Sequence, residues 1–420
     1  MDTQTASTPP QECPLTLGYL VPEFPGQTHI FFWRDLKSLA ALGVTSQIIS
    51  TRKPSKEIIS HSWSEKAMRQ TIYLSPPTMG LALSGIWEIV RSGPRGWKRI
   101  LSTICVVEAH GFNKKLRMVG LAAAGGQLAA LARQGKWRHL HVHSCADAAN
   151  VAMFAHLISG LTYSITLHGP LEDYGLNQAL KWSNAEFGVV ITRKLLKEVV
   201  HALGNSVPNT IEIAPMGVDI LHFKRDFPFI PFQGEGTFEI FSCGRLNPCK
   251  GHDDLIRAVS ILKKAGLTLR LRIAGADDTQ GVYRALLERL VDESGLGDSV
   301  ELLGAVPEEV VRKGLETSHV FALASLHEPL GVAIMEAMAM EMPVIATNGG
   351  GVTELVDDGV DGLLVPPRNP EALAVALQRI AENPALALSL TVAARTKIVT
   401  SFQSSLSAEI LHKHLACKKT

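Results

Sequence analysis

Glu328 and Glu336 bracket the nearly uncharged run HEPLGVAIMEAMA at residues 327–339. A carboxylate set among Ala333, Ile334, Met335, Ala337, Met338 and Met340 is costly when ionised and out of water, so Glu336 implies a polar partner or ligand. Ahead of it, Pro329 and Gly331 make a turn after the strand-like VFALAS. A helix starting there aims the backbone N–H groups of Gly331 and Val332 beyond the strand end, a ready seat for a phosphate. Glu336 follows four or five residues later, about 7 Å along a helix that rises 1.5 Å per residue. That offset suits a carboxylate bonding the ribose hydroxyls of a nucleotide whose diphosphate sits at the helix start. Glu328, on the preceding loop, can face a sugar hydroxyl, although acids also serve as plain helix caps.

The elements that must hold these groups alternate short apolar strands with helical stretches, the signature of parallel sheets covered on both faces. LTLGYLV (15–21), TSQIIS (45–50), HLHVHS (139–144), YSITLH (163–168) and EFGVVIT (186–192) read as strands of a first sheet. FEIFSCG, LRLRIAG, SVELLG, VFALAS, PVIATN and GLLVPP repeat the pattern, with helices such as HDDLIRAVSILKKAG (252–266) between them. The fold class is therefore α/β with two doubly wound, Rossmann-like domains, whose ligands lie beyond the strand ends and whose cleft is the place for a substrate. The aperiodic FKRDFPFIPFQGEGTF (223–238) follows the expected boundary near 211–219. We expect a disordered tail at 1–13, an N-terminal acceptor domain at 14–213 and a C-terminal donor domain at 214–399.

Bulk properties narrow the function. At 420 residues the chain exceeds one ordinary core, and its 46 % hydrophobic content is ample for two. Its 41 basic and 40 acidic residues divide unevenly. Residues 1–215 hold 21 against 14, a net +7, and the remainder 20 against 26, a net −6. The basic half is the one to meet an anionic surface or acceptor. Six scattered cysteines without a CxxC pair suit a reducing compartment, so a cytoplasmic location is expected. The polar start lacks a signal-peptide layout, and MVGLAAAGGQLAALA (118–132) is shorter than a spanning helix. The loop PEFPGQTH is not GxGxxG, and GxxxxGK[ST], HExxH, GxSxG and Asp-rich metal clusters are missing. Dehydrogenase, ATPase and metallohydrolase chemistry lose ground accordingly.

Glu328-x7-Glu336, followed by PVIATN and GGGVTELV, resembles the donor-site signature of retaining glycosyltransferases of the GT-B fold, glycosyltransferase family 4 (group 1) type. CGRLNPCKGHDDLIRA is similar to that family's Gly-Arg-Leu…Lys-Gly segment, and PEFPGQTHIFFWRDLKSL, TLHG and APMGVDILHF extend the likeness over most of the chain. The resemblance implies that Arg245 and Lys250 bind the donor diphosphate, Glu328 the transferred sugar and Glu336 the ribose. It implies backbone approaches to the phosphates from Gly331 and the Gly349–Gly351 turn, and it adds His168, Gly244, Leu330, Gly350 and Gly26 to the site. A helix at 400–418 would return to the first domain. Departures from the pattern are Pro329-Leu330, where Gly-Phe or Ser-Phe is commoner, Glu341 in place of a small residue, and one loop glycine, Gly26, instead of two.

A fixed arginine and lysine can carry the charge of a departing nucleoside diphosphate, so no metal and no cofactor are expected. The donor would be a nucleotide sugar and the acceptor a glycan, a lipid-linked molecule or a small molecule. A lone histidine such as His168 can equally bond the backbone. His29 is a second candidate, Glu354 is as plausible a cap as a contact, and His141 and His143 read as structural. The stretch 91–117 has seven Lys/Arg, one acid, Trp97 and Phe112. It is either a solvated basic face or a patch for an anionic membrane, peripherally on the inner face; nucleic acid is not expected. The rival readings are a nucleotide-sugar epimerase, a sugar phosphorylase, or a binding protein without turnover.

Overall fold

The computed structural model describes residues 15–26, 29–54, 63–108 and 112–416. The tail expected at 1–13 and positions 417–418 of the expected terminal helix lie outside them. The first half runs β1 (Leu15–Glu23), α1 (Ile30–Ala41), β2 (Val44–Arg52), α2 (Ser64–Gln70), β3 (Thr71–Tyr73), α3 (Met79–Arg91), α4 (Gly93–Val106), α5 (Phe112–Gln134), β4 (His139–Val142), α6 (Asp147–Ser159), β5 (Tyr163–Leu167), α7 (Gln178–Ser183), β6 (Phe187–Val190), α8 (Arg193–Leu203) and β7 (Ile211–Ile213). The second runs β8 (Phe238–Cys243), α9 (His252–Lys264), β9 (Leu269–Ala274), α10 (Val282–Glu293), β10 (Val300–Gly304), α11 (Glu308–Thr317), β11 (Val320–Leu323), α12 (Val332–Ala339), β12 (Val344–Thr347), α13 (Val352–Leu355), β13 (Leu363–Val365), α14 (Pro370–Glu382), α15 (Pro384–Ser401) and α16 (Ser405–Ala416).

Both sheets are parallel. Their orders are β3-β2-β1-β4-β5-β6-β7 and β10-β9-β8-β11-β12-β13. Central strands such as β4, β5, β11 and β12 are buried along their whole length, as helices on both faces require; β11 is wholly apolar, while the histidines of β4 bond Ser164 and Thr166 of β5. Local chemistry sets the helix ends. Asp253 and Asp254 open α9 and Lys263 and Lys264 close it, in the sense that its dipole favours. Asn369 and Asn383 cap α14 and α15, each followed by proline at the first helical position.

The chain passes between the halves twice, side by side. The Val218 N–H donates to the Phe402 carbonyl at 2.9 Å and the Ser404 N–H to the Val218 carbonyl at 3.0 Å. Gly217 lies against the Gln403 backbone, where a Cβ would overlap it. After this crossing α16 returns to the first domain and buries Ala408, Leu411 and Leu415 in one apolar cluster with Leu17, Trp33 and Leu36. His414 stacks on Phe187 with ring centroids 4.2 Å apart.

Leu411→Ala should therefore lower unfolding stability by about 2–5 kcal/mol, the range for truncating a buried leucine. Urea denaturation of the purified chain measures this, and a loss below about 1 kcal/mol would mean that α16 is not part of that core.

Candidate functional site

In each sheet one pair of neighbouring strands sends its connections to opposite faces, and the loops beyond that switch point diverge into a crevice. The pairs are β1 with β4 and β8 with β11. Their loops face one another across a cleft of about 760 Å³. The first half contributes His29, Phe31, His143 and His168; the second contributes Gly244, Arg245, Lys250, Glu328, Leu330, Gly331, Val332 and Glu336. Of these, His29, His168, Gly244, Arg245, Lys250, Glu328, Leu330, Gly331, Val332 and Glu336 are residues that the sequence singled out, whereas Phe31 was not and His143 read as structural.

Gly244 and Arg245 directly follow β8, and Lys250 closes a short 3-10 turn whose Asn247 side chain accepts from the Cys249 N–H at 3.0 Å. The Leu326 N–H donates to the Cys249 carbonyl at 2.7 Å, which ties this loop to the one bearing Glu328. Lys250 Nζ donates to Glu328 Oε2, and Ser325 Oγ donates to the same oxygen at 3.2 Å. Arg245 Nη1 reaches Asp278 Oδ2 at 2.7 Å. Gly331, at φ +97°, turns the chain into α12 in a conformation that favours glycine, and Val332 begins the helix.

Two expected positions, Gly350 and Gly26, lie off the cleft lining, and Glu354 serves as a cap. Gly350 is not among the residues lining the cleft. The Gly349–Gly351 turn runs behind the Glu328 loop, with the Glu328 N–H donating to the Gly349 carbonyl at 3.2 Å and the Gly351 N–H to the Glu328 carbonyl at 2.8 Å. At Gly350, with φ +83°, a Cβ would overlap the Glu328 carbonyl oxygen. Gly26 is likewise off the cleft, packed against the His29 imidazole. Glu354 crosses between the halves and accepts from the Arg193 and Lys194 N–H groups, each at 2.8 Å, at the start of α8.

The partner demanded by Glu336 comes from the opposite half. Arg34, on α1 and only 4 % exposed, donates through Nη2 to Glu336 Oε1 at 2.7 Å and to Glu308 Oε2 at 2.9 Å. Its guanidinium lies 4.9 Å from the Phe223 ring centroid, and Glu308 also meets His222 Nε2 at 2.7 Å. Sequence reasoning missed Arg34. The only signal was a lone arginine within the apolar start of a helix, FFWRDLKSL.

The imidazoles on the facing wall are held neutral. Burial, and then the charge of Arg245, pushes His29 down to about 4, and burial alone takes His143 to about 3. His168 is also lowered, by burial and then by His143 and His29. His168 Nε2 and His143 Nδ1 share a hydrogen bond at 3.2 Å, so His143 belongs to the cleft, whereas His141 bonds Ser164 and Thr166 within the sheet. Behind His143, Tyr19 donates to Asp35 Oδ2 at 2.8 Å, and burial raises the Asp35 carboxyl to about 6. Among the described residues there is no group of three or more His, Cys, Asp and Glu arranged to hold a metal ion.

Two outcomes follow from these environments. Histidines with depressed values bind protons more readily when unfolded, so their contribution to stability is present above about pH 6.5 and is lost as pH falls towards 4. Asp35 acts in the opposite sense, losing its contribution between about 4 and 6 as pH rises, but it is one group against several. Urea midpoints should thus rise from pH 4 to pH 6.5; a flat profile would contradict the neutral imidazoles. Arg34→Ala takes the guanidinium from buried Glu336 and leaves part-buried Glu308 to His222, and should destabilise the chain by about 3–5 kcal/mol. Thermal and urea unfolding check this, with Arg34→Lys recovering part of the loss.

Comparison with known proteins fits this geometry. Residues 223–397 match the family model described as glycosyl transferases group 1. The chain is 34 % identical over 216 residues to the amylovoran biosynthesis glycosyltransferase AmsK of Erwinia amylovora, covering 48 % of this chain and 51 % of that protein. It is 33 % identical over 202 residues to the putative colanic acid biosynthesis glycosyltransferase WcaL of Salmonella typhimurium, covering 46 % and 48 %. The chain thus spans about half the length of these curated relatives. Among solved structures, HepE of Anabaena in complex with UDP superposes with a TM-score of 0.73 at 16 % identity, over 96 % of this chain and all of that one. The two facing Rossmann-like domains are a GT-B fold, and the match to the glycosyl transferases group 1 model lies in the second of them.

Proposed function

We propose that this chain is a retaining, metal-independent hexosyltransferase. It would move a sugar from a nucleoside-diphosphate sugar to a glycan, lipid-linked or small-molecule acceptor in polysaccharide or glycoconjugate biosynthesis. The observation that carries the reading is the convergence of Arg245, Lys250, Glu328, Gly331 and Glu336 on one wall of a cleft whose other wall bears His29, His143, His168 and Phe31 together with Glu172 and Asp173. Polysaccharide biosynthesis is supported by the names of the AmsK and WcaL relatives. No relative named above is an epimerase or a phosphorylase.

The diphosphate sits at the Gly331–Val332 helix start, with Arg245 and Lys250 beside it and the ribose on Glu336. Both cations already hold carboxylates, Asp278 and Glu328, so the donor shares or displaces existing ion pairs rather than meeting bare charge. Glu328 contacts the transferred sugar, and Lys250 fixes its carboxylate. As the bond from the sugar C1 to the phosphate oxygen breaks, negative charge grows on the diphosphate and the two cations stabilise it. An acceptor hydroxyl attacks from the same face, and its proton passes to the departing phosphate oxygen. His168 and His29 border the sugar from the acceptor side. Work in the cytoplasm, with the basic 91–117 stretch against an anionic membrane surface, completes the reading.

HepE has also been solved with UDP-glucose, which makes that compound the first donor to test. UDP release should persist in EDTA and yield a product that keeps the donor's anomeric configuration by NMR. Lys250→Ala should lower turnover by about 10²–10³-fold. Glu336→Ala should weaken UDP binding in calorimetry by about 1–3 kcal/mol. An absolute need for a divalent ion, or an inverted product, would overturn the corresponding part of the proposal, and a folded Glu336→Ala with unchanged UDP affinity would remove Glu336 from the nucleotide site.

A further inference from the structure

Helix α3 has two apolar sides, and only one of them is covered. On its inner side Gly85 lets α5 come close, since a Cβ there would meet Gln127 atoms at 2.8 Å. On its outer side Met79, Leu83, Ile86, Trp87 and Val90, spaced as one helical stripe, are between 50 and 77 % exposed. The only acid in α3, Glu88, is buried and paired with Arg91 and Arg133, so it does not interrupt the stripe. Ser92 joins α3 to α4, and the Trp97 indole N–H donates to the Ile89 carbonyl at 2.7 Å, holding the two helices together. Helix α4 adds exposed Trp97, Leu101 and Val106. Exposed apolar side chains gathered on two joined helices in this way mark an interaction surface.

Charge selects the partner. Residues 79–119 contain seven Lys/Arg against two acids, and all seven cations are exposed. Arg95, Lys98, Arg99, Lys114 and Lys115 have no ion pair among the described residues. A second copy meeting this face across a two-fold axis would bring like charges together. An anionic lipid surface satisfies both halves of the pattern, with cations at the headgroups, tryptophans at the boundary and aliphatic side chains below it. Among the described residues no helix is long and apolar enough to cross a membrane, so the contact is made from one side.

We propose that the α3–α4 hairpin inserts its outer apolar stripe into an anionic phospholipid bilayer, with the surrounding lysines and arginines on the headgroups. This deepens the membrane contact suggested above from a charge attraction to an insertion. It rests on the sugar-transfer reading only for the nature of the acceptor.

The test uses the full chain and vesicles of phosphatidylcholine with or without phosphatidylglycerol. Wild type should sediment with the anionic vesicles and much less with neutral ones, and brominated lipid should quench tryptophan fluorescence. Raising salt from about 0.05 M to about 0.5 M should weaken binding without abolishing it, since inserted apolar area is not screened. Leu83→Ser/Ile86→Ser/Trp87→Ser should lose the salt-resistant part, a drop of about tenfold or more, with an unchanged unfolding midpoint. Should that variant misfold, quenching of the wild type still decides between insertion and contact at the headgroups alone. The proposal fails if wild type ignores anionic vesicles at low salt, if brominated lipid leaves its fluorescence unchanged, or if the folded triple variant binds like wild type. It also fails if wild type forms a dimer without lipid that the variant lacks, which would assign the face to a second copy. UDP binding is read separately, so its absence would sink sugar transfer and leave this result standing.

Discussion

A buried guanidinium shared by three elements holds the cleft in its shape. Arg34 leaves the first domain on α1 and ends between Glu336 on α12 and Glu308 on α11, over the face of Phe223. Two charges out of water are tolerated only when geometry and further hydrogen bonds compensate, and here one cation answers two carboxylates. The carboxylate assigned to the ribose is therefore oriented from across the cleft. On the proposed reading, domain placement and nucleotide binding share one residue, so a change in either is felt by the other. The paired crossings at Val218 and Gln403 and the Glu354 contacts to the start of α8 restrain the same relative placement from other sides.

The two walls differ in kind. On the donor side Arg245 and Lys250 are balanced by Asp278 and Glu328, fixed charge able to respond to a departing diphosphate. On the other side His29, His143 and His168 are uncharged across the neutral pH range because burial disfavours the imidazolium. Neutral imidazoles beside Phe31 can exchange hydrogen bonds with hydroxyls and present flat faces to a sugar ring.

Much of this was readable before any coordinates. Parallel strands announce themselves as apolar runs and the loops beyond them border a crevice, so Glu328 and Glu336 stand out by residue type and spacing, whereas Gly244, Arg245 and Lys250 come from the family resemblance. The burial cost of Glu336 even required a partner, but not which one, because Arg34 is 302 positions away and nothing local distinguishes it from a surface arginine. A glycine-rich turn such as Gly349–Gly351 looks the same in sequence whether it clears room for a phosphate or, as at Gly350 here, for the Glu328 carbonyl. The basic stretch at 91–117 was visible as charge, whereas the apolar stripe on α3 was not. Met79, Leu83, Ile86 and Trp87 look like core until the packing shows that the opposite side of the helix faces α5.

The central claim is that one ligand seat lies where the β8 and β11 loops meet, steadied by α1 from the other domain. Hydrogen–deuterium exchange of the full chain with and without UDP tests it most directly. The account predicts slower exchange on UDP addition in peptides covering 244–251 and 326–336, with a smaller effect in the α1 peptide that contains Arg34. Protection confined to other loops, or no change at UDP concentrations that saturate binding, would contradict it.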